Sequence, residues 1–154
     1  MFFPIMIDIE KFNILVVGGG KIAYRKIIKL LEYGAEVSVV SIEFCEEIKA
    51  LNGKIELKKK KFEIKDIKGY NIVFAATDNI EVNKEISEYC IERKIPVNSV
   101  DNHENSTFIN MGFFETEIED RKTIVAVSSM GKSPKGTKAI KEKLKKILEK
   151  KSFN

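Results

Sequence analysis

The hydrophobic positions of this chain follow two alternating rhythms. Phe12 to Val17, apolar but for Asn13, reads as a strand buried on both faces. From Lys21 onward, Ile22, Ile27, Leu30 and Leu31 fall on one side of a helix, which Gly34 ends. The valine-rich "AEVSVVS" over 35–41 reads as a second strand. "IEFCEEIKAL" over 42–51 predicts a short helix closed by Asn52-Gly53, and Lys54 to Leu57 a third strand. The segment 58–70, "KKKKFEIKDIKGY", is too charged for a core and predicts an exposed connection, followed by a fourth strand, "NIVFAAT", over 71–77, apolar between its end residues. Between Ile80 and Glu92 the positions Val82, Ile86, Tyr89 and Cys90 keep helical spacing, and "IPVNSV" over 95–100 is a fifth strand.

Strand and helix alternate throughout this part, which implies parallel strands joined by right-handed helical crossovers in a doubly wound α/β sheet. The rhythm changes after Asp101. "STFINMGFFETEIE" over 106–119 and "KTIVAVSS" over 122–129 are two strand-like runs with only "EDRK" at their junction, so they predict an antiparallel pair outside the parallel sheet. "GKSP" then opens a short final helix with Ile140, Leu144, Ile147 and Leu148 on one face. The expected division is 1–105, 106–131 and 132–154.

Composition narrows the class. A length of 154 residues with 44% hydrophobic content suits one main core. No apolar run of about 18 residues occurs, and Pro4, Asp8 and Glu10 interrupt the apolar start before it resembles a signal peptide, so no membrane partner and a cytoplasmic location are expected. Cys45 and Cys90 stand far apart, outside any CxxC or Cys/His cluster; they read as buried thiols, and no metal site is expected. The net charge of +4 is uneven: residues 132–154 hold nine lysines against Glu142 and Glu149. That end faces water or something acidic. Nucleic acid is not expected, because Phe153 is its only aromatic residue and no recognition motif accompanies it.

The chemistry concentrates where the first rhythm breaks. Gly18-Gly19-Gly20-Lys21-Ile22-Ala23 is GxGxxA between an apolar strand and an amphipathic helix. A side chain at Gly18 would obstruct the tight turn and one at Gly20 would hold the backbone away from a pyrophosphate, while Ala23 lets helix and strand pack closely. Free amides at the helix N-terminus then face the phosphates. This is a dinucleotide-binding, Rossmann-type pattern. The acidic residue that usually receives the ribose hydroxyls is replaced by Ser41, with Glu43 two residues on as a substitute, and no arginine follows the second strand, which favours NAD over NADP. A site beyond the carboxyl ends of the strands would gather Gly18 to Ile22, Ser41 to Glu43, Ala76-Thr77-Asp78 and Asn98 to Asp101.

"VVGGGKIAYRKIIKLLEYGAEVSVVS", "FAATDN", "VNSVD" and "VAVSSMGKSP" occur in an order and spacing that resembles the precorrin-2 dehydrogenase family, which includes the amino-terminal part of bacterial sirohaem synthases; the resemblance covers nearly the whole chain. It implies NAD-dependent oxidation of precorrin-2 to sirohydrochlorin on the way to sirohaem or cobalamin, with metal insertion by some members. It also implies a homodimer whose interface is built by the strands of 106–131. The family's NxxD aspartate matches Asp101, related there to dehydrogenation and chelation; cofactor contacts fall at Lys21, Ile22, Ile42 and Glu43; and the second serine of SSxGxSP, phosphorylated in some members, is Ser129.

The residues themselves agree with this expectation. Loss of hydride from a tetrapyrrole carbon leaves a cation that must shed a proton, which suits a carboxylate such as Asp101 as base or electrostatic partner. Precorrin-2 carries many carboxylates, so Lys132, Lys135 and Lys138 are candidates for its rim, with solvated lysines as the alternative. His103, the only histidine, is a second base, a metal contact, a substrate contact or an exposed loop residue. Asp78 approaches the cofactor or caps the next helix, and Arg25 and Lys26 match the family's RK pair or pair with nearby acids. Two departures stand out: Asn110 follows the Phe-Ile pair where the family commonly has proline, and many members extend beyond the last helix, so a more open cleft is expected. The competing readings are an NAD-binding sensor domain and a family member that binds NAD or tetrapyrrole without turnover.

Overall fold

The computed structural model describes residues 2–151, the side chains of His103, Lys150 and Lys151 excepted. Two compact units divide between Phe108 and Ile109. In the first, strands β1 (Asn13–Val17), β2 (Glu36–Ser41), β3 (Glu56–Lys59), β4 (Ile72–Ala75) and β5 (Val97–Ser99) form one parallel sheet in the order β3-β2-β1-β4-β5. Helices α1 (Lys21–Glu32), α2 (Glu46–Lys49) and α3 (Ile80–Glu92) supply three of the crossovers, and a 3-10 turn over Ile64–Ile67 lies in the one from β3 to β4. Strand order reverses between β1 and β4, the switch point at which ligands bind in open sheets of this kind.

Alternation along the strands sorts the core into two layers. Ile14, Val16 and Phe74 face the side of α1, where Ala23 and Ile27 are buried, whereas Leu15, Val17, Val73 and Val97 face α3 and its buried Ile86 and Cys90. Cys90 is a packing residue, its thiol pushed up to about 11 by burial. Cys45, expected inside, is only half-buried, because it precedes the short α2 at the sheet surface.

Three local expectations change. The helix expected over 42–51 contracts to Glu46–Lys49, since Ser41 to Phe44 are spent turning past the glycine loop. The segment 58–70 is more than an exposed connection: Ile67 is fully buried in a 3-10 turn over Ile64–Ile67, with Phe62, Ile64 and Tyr70 packed beside it. Its lysines stay outside while Lys60 bridges Glu63 at 3.1 Å and Asp66 at 2.8 Å. On α1, Ile22 is 54% exposed and lies off the core-facing stripe.

The second unit contains an antiparallel pair, β6 (Gly112–Ile118) and β7 (Arg121–Val127), and helix α4 (Pro134–Lys151). The extended run expected from Ser106 enters this ladder only at Gly112. Residues before it bond to β5 instead: Thr107 N–H donates to the Val97 carbonyl at 2.8 Å, and Ser99 N–H to Ser106 Oγ at 2.8 Å. Pro134 begins α4, where the missing N–H costs nothing. Of the four residues expected to share its apolar face, Leu144 and Leu148 are half-buried while Ile140 and Ile147 remain 50% and 44% exposed. No helix among the described residues is long and apolar enough to cross a membrane.

Candidate functional site

The three glycines do different work. Gly18 follows β1 at φ +126°, and a Cβ there would lie 2.2 Å from the Ala76 carbonyl oxygen, so the close approach of the β1 and β4 ends excludes any side chain. Gly19, which the motif leaves unassigned, is as constrained: a Cβ would stand 1.9 Å from the Glu43 carbonyl oxygen and 2.8 Å from Ser41 Oγ. At Gly20 nothing of the protein lies within 4 Å of an added Cβ. Its bareness therefore faces open space at the N-terminus of α1, where no side chain caps the first-turn amides and no acid stands in the first turn. This fits a bound pyrophosphate.

Around this turn, Lys21, Ile22, Ile42 and Glu43 are exposed, Ala23 is buried and Ser41 is half-buried. Two exposed isoleucines, Ile22 and Ile42 at 54% and 66%, flank the glycine loop. Thr77 follows β4, but its hydroxyl is engaged inside the protein, within 2.7 Å of Asn83 Oδ1 and 3.0 Å of the Asn79 carbonyl. Asp78 is exposed and does not cap α3. Asn79 does so, its Oδ1 accepting from Glu81 N–H at 3.0 Å and Val82 N–H at 3.2 Å.

Asp101 lies just past β5 on a loop that leaves the same end of the sheet. Ser99 Oγ donates to its Oδ1, and Asn83 Nδ2 donates to its Oδ2 at 3.0 Å. Burial pushes this carboxyl up, but the bonds from Ser99 and Asn83, with the backbone amides of Asp101 and Asn102, outweigh it and hold the group below the usual aspartate range. Asn83 is fully buried and also ties Thr77: its Oδ1 accepts from Thr77 N–H at 3.1 Å and its Nδ2 donates to the Thr77 carbonyl at 3.0 Å. The helical pattern of α3 disguises Asn83; its only signal is a polar residue on the apolar side.

Lys26 pairs with no acid among the described residues. Its Nζ donates to Asn98 Oδ1 at 2.7 Å and lies 5.2 Å from the Phe74 ring centroid, while burial lowers the ammonium to about 8. Arg25 is exposed.

His103 begins a 3-10 turn, His103–Asn105, and its expected role falls on a side chain outside the described residues. In the second unit, Ser129 organises the start of α4. Its Oγ donates to the Ser133 carbonyl at 3.0 Å and accepts from Ser133 N–H at 3.0 Å and Thr137 Oγ1 at 2.7 Å. Lys132, Lys135 and Lys138 are exposed on this turn and helix. A depression of about 790 Å³ also opens in the first unit beside Ser38, Glu56, Lys58 and Tyr70. Within it Glu56 lies 3.2 Å from Lys58 and accepts from Ser38 Oγ at 2.7 Å.

The parallel sheet, the reversal of strand order and the glycine turn define a nucleotide-binding Rossmann domain. A family model described as NAD(P)-binding matches residues 5–111. Over 93% of the chain the fold superposes on SirC, a precorrin-2 dehydrogenase, with a TM-score of 0.80, 30% identity and 69% of that chain covered. Siroheme synthases of Ruthia magnifica subsp. Calyptogena magnifica and of Buchnera aphidicola subsp. Acyrthosiphon pisum are 41% and 36% identical over 96% of this chain. The chain spans about a third of those relatives, 31% in each case. The chain belongs to the precorrin-2 dehydrogenase family of NAD(P)-binding proteins.

Proposed function

We propose that this protein oxidises precorrin-2 to sirohydrochlorin with NAD as hydride acceptor. The observation that carries the reading is the tie of Asp101 through Asn83 to Thr77, which keeps a carboxylate at the end of the sheet where the glycine turn lies. Bound NAD supplies the hydride acceptor; the remaining chemistry belongs to the chain.

Gly18 to Ala23 would cradle the pyrophosphate, and Ile22 and Ile42 would cover the adenine end, with Glu43 near the ribose in place of the acid missing at Ser41. The absence of an arginine after β2 favours NAD over its 2′-phosphorylated form. Asp101 stays ionised at neutral pH, so it acts chiefly as an electrostatic partner for cationic charge developing on the ring and as a weak base for the proton that follows. Lys132, Lys135 and Lys138 offer positive charge to the substrate's carboxylates, and Ser129 holds the turn that presents them. The pair β6 and β7 would join a second copy in a homodimer.

The test is anaerobic incubation of the pure protein with precorrin-2 and NAD, following the sirohydrochlorin spectrum and NADH together. Turnover that disappears in Asp101→Asn, with NAD affinity kept, is the expected result. Product formed by that variant at the wild-type rate would remove Asp101 from the reaction, and NAD binding without product would leave a binding protein.

A further inference from the structure

We propose that Lys26 is a positioning residue for the Asp101 loop, fastening it to the helix that carries the glycine turn. The inference rests on the dehydrogenase reading for its catalytic consequence and on the hydrogen bonds alone for its structural one.

The loop of residues 100–105 is closed by a return segment that runs beside β5. Thr107 N–H donates to the Val97 carbonyl at 2.8 Å, and Thr107 Oγ1 accepts from the Val97 N–H at 2.8 Å and donates to the same carbonyl at 3.3 Å. Ser106 Oγ receives the Ser99 N–H at 2.8 Å. Between these, Asn98 reaches out of the strand, and its Nδ2 donates to the Phe108 carbonyl at 3.0 Å. That bond requires Asn98 Oδ1 to point the other way, toward Lys26 Nζ at 2.7 Å. An amide side chain 4% exposed has no water to replace a missing partner. The ammonium thus selects one of the two carboxamide orientations, the one that clamps Phe108.

Packing follows the same line. Lys26 sits over Phe74 at 5.2 Å, and Phe74 meets Phe108 edge to face with centroids 5.5 Å apart and planes at 88°. Keeping a charge here without an acid partner is costly, and a methionine of similar length would fill the space more cheaply. A lysine at this position is explained by its donor and its charge. Because it lies on α1 six residues past the Gly20 N-cap, it links the helix that would hold the cofactor to the segment that carries the carboxylate.

The experiment compares Lys26→Met, Lys26→Arg, Asn98→Leu and the Lys26→Met/Asn98→Leu double variant in the NAD-bound protein. Lys26→Met is expected to speed amide exchange at residues 99–108 by about tenfold, to leave NAD affinity within about twofold, and to lower kcat by about tenfold to a hundredfold through misplaced Asp101. Lys26→Arg keeps charge and donors and restores both readouts. The double variant loses no more than the worse single one, because both act through one clamp. Unchanged exchange at 99–108 in Lys26→Met overturns the proposal, as does full additivity in the double variant. Should the wild type bind NAD without oxidising precorrin-2, the dehydrogenase reading fails while the exchange comparison still decides the role of Lys26.

Discussion

Asn83 Nδ2 donates to Asp101 Oδ2 at 3.0 Å from the first turns of α3, across 18 residues of sequence. The same carboxamide accepts the Thr77 N–H at 3.1 Å, so one buried side chain joins the loops that follow β4 and β5. Both polar atoms of the Asn83 side chain are occupied by these two loops, with the Thr77 hydroxyl and carbonyl as its other partners. A buried carboxamide so used fixes loop geometry that the backbone ladder alone does not reach.

The first prediction concerns the charge on Asp101. In Asn83→Leu the carboxylate loses one of the donors that outweigh its burial, so its titration moves up toward or above the ordinary aspartate range. Carbon-13 NMR of the Asp101 carboxyl across pH 2–6 checks this; titration at the wild-type position would show that Asn83 does not hold the charge. The folded value is depressed, so the stability it contributes is present above the unfolded value and is lost as pH falls through the folded one. Asn83→Leu should flatten that acid limb, at a cost of roughly 1–3 kcal/mol for the unpaired Thr77 groups.

A second prediction separates the glycines that serve the protein from the one that serves a ligand. Gly18→Ala meets the Ala76 carbonyl at 2.2 Å and a φ of +126°, so it should lower stability, by roughly 1–3 kcal/mol or more. Gly20→Ala meets nothing within 4 Å and should unfold within about 1 kcal/mol of wild type while weakening NAD binding at least tenfold. Thermal unfolding and NAD titration of both variants decide it. Equal NAD affinity in Gly20→Ala would mean that the dinucleotide does not approach this backbone.

The parallel sheet was legible because β1, β4 and β5 are buried on both faces and the helices are striped, which leaves little freedom in the pattern. Ile67 was hidden because Phe62, Ile64 and Ile67 each stand between a lysine and an acid, so the segment reads as charged although its apolar residues are turned inward. The glycine turn was legible from spacing, but not the division of labour within it. Gly19 is constrained by Glu43, a residue 24 positions away, and only the fold brings them together. The exchange of roles between Asp78 and Asn79 has a local cause: both suit a helix start, and Asn79 stands immediately before Ile80. For Lys26 the sequence left open an RK pair or a nearby acid, and its hydrogen-bond partner is an amide 72 residues away, which only the fold brings close.

A third prediction follows from the lysine. Burial lowers Lys26 from 10.5 to about 8, so between those values the unfolded chain binds more protons than the folded one and stability rises with pH. The wild type should gain on the order of 2–3 kcal/mol across that window relative to Lys26→Met, the measure being urea unfolding at several pH values. Lys58, raised chiefly by its bond with the Tyr70 hydroxyl, contributes with the opposite sign, which is why the difference between the two proteins is the quantity to read. A difference that stays constant with pH would place the Lys26 ammonium in solvent.

The last prediction concerns the second unit. β6 and β7 pair only with each other among the described residues, so each has one edge whose backbone groups lack a ladder partner, and a two-stranded ribbon is marginal alone. Register assigns the two faces: Phe114 pairs with Val125 on one, where Phe114 is 8% exposed, while Ile124 stands opposite Glu115 on the other and is 36% exposed, with exposed Ala126 on the same side. A second copy laid against that face and edge would bury Ile124 and complete the ladder. Light scattering should therefore give a dimer for the wild type and a monomer for Ile124→Asp, since a carboxylate placed in the interface loses its water without gaining a partner. A monomeric wild type, or an Ile124→Asp protein as dimeric as its parent, would show that this face does not form the subunit contact.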